Sequence, residues 1–185
     1  MSDGNIRLRF VAGKGLICDL IRFQAGRSMP MTPSHTECVI PMDWPDRSIA
    51  GKWLGQHAPD GMVARPAGYD ADTLMTLPDG SKSQKFVDLP CTLDQQACFY
   101  NHVISRIGAP YDLKSIADFA DPLLNLHDFG HLICSAEMGW GLRQEPHPYF
   151  PFPLTKPLHR LSPDMLFLIL STHVEVSHTG EFANG

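Results

Sequence analysis

The sequence predicts an α+β fold: one domain in which a small antiparallel sheet packs against helices. Two groups of observations carry this. Short β-prone runs punctuated by proline and glycine are gathered ahead of Leu93, and helical patterns dominate after it. Nothing divides the chain either, because its 185 residues contain no internal repeat, no low-complexity tract and no linker. The domain is expected to span residues 1–170, with residues 171–185 as a C-terminal tail.

Each element has a local reason. Ile6, Leu8 and Phe10 alternate with Arg7 and Arg9, the period of two of a half-buried strand. Leu16, Ile17, Leu20 and Ile21 fall on one helical face, with Gly26 as a stop. Residues 36–40 form a β-prone run that leads to a turn at Trp44-Pro45-Asp46. Residues 52–56, 62–65, 74–77 and 86–89 are further short strands, with Asp60-Gly61 and Asp79-Gly80 as turn signals. Residues 93–107 read as a helix opened by a Thr92/Gln95 capping box and closed by Gly108 and Pro110. Two more helices are expected over 113–119 and 134–142. Pro146, Pro148, Pro151, Pro153 and Pro157 then make a rigid crossing of the surface. Ser162-Pro163 supplies an N-cap and first helical residue for the apolar run 165–170.

Composition excludes several classes. Hydrophobic residues at 43% and charged residues at 19% describe a globular chain rather than a disordered one. Fifteen basic against twenty acidic side chains, a net charge of −5, argue against a nucleic-acid partner. No apolar stretch approaches a membrane span, and Met1-Ser2-Asp3-Gly4-Asn5 lacks the basic and apolar regions of a secretory signal. The five cysteines are scattered, odd in number and without a C-x-x-C, which fits a reduced compartment. A cytoplasmic location is therefore expected.

The most informative segment is Leu132-Ile133-Cys134-Ser135-Ala136-Glu137, an apolar approach that ends in a thiol at the start of a helix. Unpaired N–H groups and the helix dipole favour a thiolate there, and the thiolate is the attacking species. The competing reading is a buried cysteine packed as a small hydrophobe. A nucleophilic thiol needs a base. In Ser34-His35-Thr36-Glu37, His35 and Glu37 point to the same face of a strand. Glu37, or Gln56 and His57 on the next strand, are candidates for the group that holds the imidazole. His102, His173 and His178 carry no local signal.

In order, these residues are Ser34-His35-x-Glu37 after a strand and helix, Gly108-x-Pro110-Tyr111-Asp112, then Ile133-Cys134-Ser135-x-Glu137 and Ser162-Pro163. That order resembles the circularly permuted branch of the NlpC-type, papain-like thiol hydrolases, the YiiX-like group with many phage and prophage members. Papain places its cysteine before its histidine; here the histidine comes first. The resemblance spans about residues 6–170 and implies a permuted papain-like arrangement. It implies Cys134 as nucleophile, His35 as general base, and a third polar residue among His57, Gln56 and Glu37. One departure is Cys-Ser-Ala-Glu at 134–137, where relatives read Cys-Ser-Glu. The implied activity is acyl transfer from an amide, ester or thioester without a metal or organic cofactor. Peptide, peptidoglycan-like and lipid acyl substrates all remain open.

Two rival classes have their own signals. His127 and His131 are four residues apart, a zinc-ligand spacing on a helix. The motif lacks the general-base glutamate of His-Glu-x-x-His, and Gly130 interrupts it. The other rival is a non-catalytic binding or assembly protein that retains the fold. For it, Tyr149, Phe150 and Phe152 offer a docking surface and Trp44 and Trp53 a groove, although all five equally suit a core.

Overall fold

The computed structural model describes residues 3–24, 32–111, 133–150, 161–172, 174, 176 and 177. Six strands and four helices lie among them. The strands are β1 (Gly4–Val11), β2 (His35–Val39), β3 (Trp53–His57), β4 (Gly61–Arg65), β5 (Gln84–Cys91) and β6 (Val176–Ser177). The helices are α1 (Leu16–Gln24), α2 (Leu93–Ser105), α3 (Cys134–Gly141) and α4 (Pro163–Ser171). The strands form one antiparallel sheet in the order β4-β3-β2-β1-β5-β6, so the α+β expectation holds at this level.

Alternation along β1 decides which face is which. Ile6, Leu8 and Phe10 are buried with Cys38, Leu54, Val87 and Leu89 from neighbouring strands. Phe99, Tyr100 and Val103 of α2, Met138 of α3 and Leu166 and Leu170 of α4 complete this core. The register sets Arg9 opposite Glu37 and Val11 opposite His35, so the odd residues of β1 and β2 share the other face. Tyr100 ties α2 to the sheet by donating to the Val39 carbonyl at 2.9 Å while accepting from the Arg7 N–H at 3.2 Å.

The helix ends follow the capping chemistry of the sequence. The Thr92 hydroxyl accepts from the Gln95 N–H at 3.2 Å, and the Gln95 side chain accepts from the Thr92 N–H at 3.0 Å. Ser162 accepts from the Met165 N–H at 3.2 Å, with Pro163 in the first turn of α4. α3 differs: its N-cap is Ile133, which offers no side-chain hydrogen bond. Among the described residues, the first N–H groups of the Cys134 helix therefore receive no cap from the N-cap side chain.

Several expectations need correction. The apolar face of α1 is not buried as a stripe: Leu16 is 85% exposed and Ile17 and Leu20 are partly exposed. The helix is anchored instead by Ile21 and by Arg22, which donates to the Gly13 carbonyl at 2.5 Å. Spacing identifies a face, but burial needs a partner for that face. Residues 74–77 do not form a strand; Leu74 and Thr76 make isolated bridges to Gly13 and Lys82 around the Gly80 turn. Within the expected tail, Val176 and Ser177 pair with β5 as an edge strand. Trp44 packs on Tyr100, Trp53 is buried, and Phe150 lies in the core with Tyr149 against it. These four aromatics pack rather than present a surface. The expected Gly26 stop, the helix at 113–119, His127, His131 and Phe152 lie outside the described residues. No helix among the described residues is long and apolar enough to cross a membrane.

Candidate active site

The first residue of α3, the last residues of β1 and the start of β2 bring the thiol and imidazole together. Cys134 is buried, close enough to His35 that a charge on its sulfur would favour the protonated ring. Glu37, two residues along β2, is fully buried, with Oε2 at 3.8 Å from His35 Nε2. His57, at the end of β3, packs its ring against that of His35 with centroids 4.6 Å apart. Its Nε2 is 3.6 Å from the same Glu37 oxygen. Glu37 thus faces two imidazoles at once.

Glycine at position 55 makes room for this cluster. A Cβ there would come within 2.7 Å of Glu37 Cβ and 3.4 Å of His35 Nε2. On the other side, Tyr69 donates to Glu37 Oε2 at 3.2 Å and lies 3.3 Å from both His57 ring nitrogens. Gln56 behaves differently from its neighbours. Strand alternation turns it away from His57, it lines the same cavity as His35 and His57, and neither atom of its buried amide has a hydrogen-bond partner among the described residues.

Glu37 is itself held from behind. Arg9 donates to Glu37 Oε1 at 2.5 Å and makes a two-point contact with Asp70 at 2.9 and 3.0 Å. It also donates to Gln84 Oε1 and stacks its guanidinium 3.9 Å from the Trp53 ring centroid. Arg9 is 1% exposed, so this cation is balanced by Glu37 and Asp70 rather than by water. In sequence Arg9 looks like the solvent face of an alternating strand. Its role becomes visible once register places it opposite Glu37.

The two histidines differ in electrostatics. Burial opposes a charged His35, but the Cys134 thiolate and the Glu37 carboxylate outweigh it and raise the imidazole from 6.5 to about 10. Burial lowers His57, and the neighbouring His35 and Arg65 charges add to that against the pull of Glu37. Burial would raise Glu37, yet the two imidazoles 3.8 and 3.6 Å from it and the Arg9 guanidinium hold it far below the usual carboxylate range. The same carboxylate thus lies between a ring favoured in its charged form and a ring pushed toward its neutral form. Burial pushes the Cys38 thiol far up, which leaves that cysteine a core residue.

His35, His57 and Tyr69 open onto a cavity of ≈ 260 Å³ whose apolar wall includes Ile17, Ile21 and Tyr111. A second buried ionic cluster fixes the Cys134 helix from its far side. Glu137 of α3 pairs with His102 Nε2 at 3.0 Å and with Arg106 Nε at 3.5 Å, both near the end of α2. His102 and Glu137 have no local sequence pattern that announces this contact, since it joins helices 35 residues apart. Ser135 donates to the Leu161 carbonyl, which links the same helix to the approach to α4.

A thiol at an uncapped helix start, a charged imidazole beside it and a buried carboxylate behind that imidazole can together carry out nucleophilic acyl chemistry. No family model and no curated protein matches this chain.

Proposed function

We propose that the chain is a cysteine-dependent acyl hydrolase with the permuted papain-like arrangement of NlpC-type enzymes. The observation that carries this reading is the contact between Cys134, at the start of α3, and a His35 that Glu37 backs. The order of elements is compatible with it, because the histidine strand β2 precedes the cysteine helix α3.

In this reading His35 holds the proton and Cys134 is the thiolate. The sulfur attacks an amide, ester or thioester carbonyl, and the oxyanion is met by N–H groups at the start of α3. The His35 imidazolium then gives its proton to the leaving amine, alcohol or thiol. Neutral His35 next takes a proton from water, whose oxygen attacks the acyl-enzyme and releases the acid and the thiolate. Glu37 fixes the ring and favours its charged form, and Tyr69 and Arg9 fix Glu37. His57 packs on the His35 ring and shares the carboxylate, so it serves as an orienting group.

The test compares wild type with Cys134→Ala on a panel of activated amide, ester and thioester substrates. The variant should lose turnover by at least about 10³-fold, as loss of a nucleophile does, and keep its far-UV circular dichroism. A wild type inert on every substrate class, together with a Cys134→Ala variant that unfolds, would make the thiol a core residue.

A further inference from the structure

The carboxylate shared by two rings also has the donor set of a metal centre. His35, Glu37 and His57 each offer one ligand atom, and the three atoms all lie within 4.8 Å of one another. Glu37 Oε2 is 3.8 Å from His35 Nε2 and 3.6 Å from His57 Nε2. Two ligands on one tetrahedral zinc stand about 3.3 Å apart, given metal–ligand distances near 2.0 Å. Small rotations of the side chains therefore close the set around an ion. His35 Nε2 is buried and has no partner within hydrogen-bond distance among the described residues, so its interaction with Glu37 is one of charge across 3.8 Å and leaves the nitrogen open to a ligand.

The groups behind the ligands suit the same purpose. Metal-bound carboxylates and imidazoles are held by outer hydrogen bonds that set their orientation. Arg9 takes Glu37 Oε1 and leaves Oε2 facing the rings. The Tyr69 hydroxyl lies 3.3 Å from both His57 nitrogens, so it can accept from the one that an ion leaves free. Charge also favours a cation. Arg9 faces both Glu37 and Asp70, so once an ion has displaced the His35 proton the two carboxylates exceed the guanidinium by one negative charge. Arg65, the next cation, is paired with Asp60 at 2.5 Å. Two nitrogens and one oxygen fit zinc and its neighbours better than calcium or magnesium, which prefer oxygen alone. The fourth position opens toward the cavity that His35 and His57 line.

We propose that His35, Glu37 and His57 form a binding site for a divalent ion of the zinc class. The site stands on the placement of these three side chains and does not rest on the thiol hydrolase reading.

The experiment uses the full chain, stripped with a chelator and titrated with zinc near pH 7 in a calorimeter. His57→Ala, His57→Asn and a His127→Ala/His131→Ala double variant are titrated in parallel. Wild type and the double variant should each bind one ion at this site. Both His57 variants should bind it at least about 100-fold more weakly, since even outer-shell losses cost 10–100-fold. No binding by wild type overturns the site, and so does binding that survives both His57 variants or disappears only with His127 and His131. Cobalt(II) on wild type reads the coordination without any variant: four-coordinate visible bands support the site, and an octahedral spectrum overturns it.

Discussion

Replacing Glu37 with glutamine changes one charge and almost no volume at the centre of the site. The carboxylate stands 3.8 Å from His35 Nε2, where two unit charges at an effective dielectric of about 20 interact by about 4 kcal/mol. That equals about 3 units of pKa, and solvent in the cavity reduces it. A fall of about 1–3 units is therefore expected for His35, starting from about 10. Arg9 keeps its two-point contact with Asp70, so Glu37→Gln should still fold. The assay is an NMR titration of the imidazole resonances in wild type and variant, with His57→Ala to assign the two rings. A folded Glu37→Gln protein whose His35 moves by less than about 0.5 unit would refute the claim that this carboxylate holds the imidazolium.

Other expectations follow from the same packing. Gly55→Ala should cost about 1–3 kcal/mol and lower Cys134 reactivity, because the new Cβ meets Glu37 Cβ at 2.7 Å; unchanged thermal unfolding and alkylation would contradict it. Leu170→Ala, at a fully buried core position on α4, should cost about 2–5 kcal/mol in denaturant unfolding with no change in the pH profile of Cys134. Stability should also depend on pH through His35. Its folded value is raised from 6.5 to about 10, so its contribution is complete below pH 6.5 and disappears as pH climbs to about 10. In Cys134→Ala the folded value should be lower, so the alkaline decline in melting temperature, which still begins near pH 6.5, should end at a lower pH and be smaller in total; coincident curves would show that the thiol and ring are not coupled.

Much of the sheet and the helix ends was legible in the sequence, because alternation and capping are local. Ile6, Leu8 and Phe10 announce the buried face of β1, and Thr92 with Gln95 announces the start of α2. Cys134 was legible as the first residue of α3, and His35 with Glu37 as neighbours on one face of a strand. The pairing of those two elements came only from the family resemblance and not from any local pattern, since it joins residues far apart in the chain. Arg9 was hidden for the same reason: an arginine between hydrophobic residues looks solvated until Glu37, Asp70 and Trp53 close around it. The α1 face failed in the opposite sense. Leu16, Ile17 and Leu20 have the spacing of a buried stripe, and only the fold reveals that Leu16 has nothing to pack against.

The central claim is that Cys134 and His35 form one activated pair. It is tested most directly by the pH dependence of alkylation, mapped by mass spectrometry to each of the five cysteines in metal-free wild type and His35→Ala. The pair predicts that Cys134 reacts selectively well below a free thiol's pKa of about 8.5 and loses that advantage in the variant. A Cys134 that is inert, or that reacts with the same profile when His35 is removed, would contradict it.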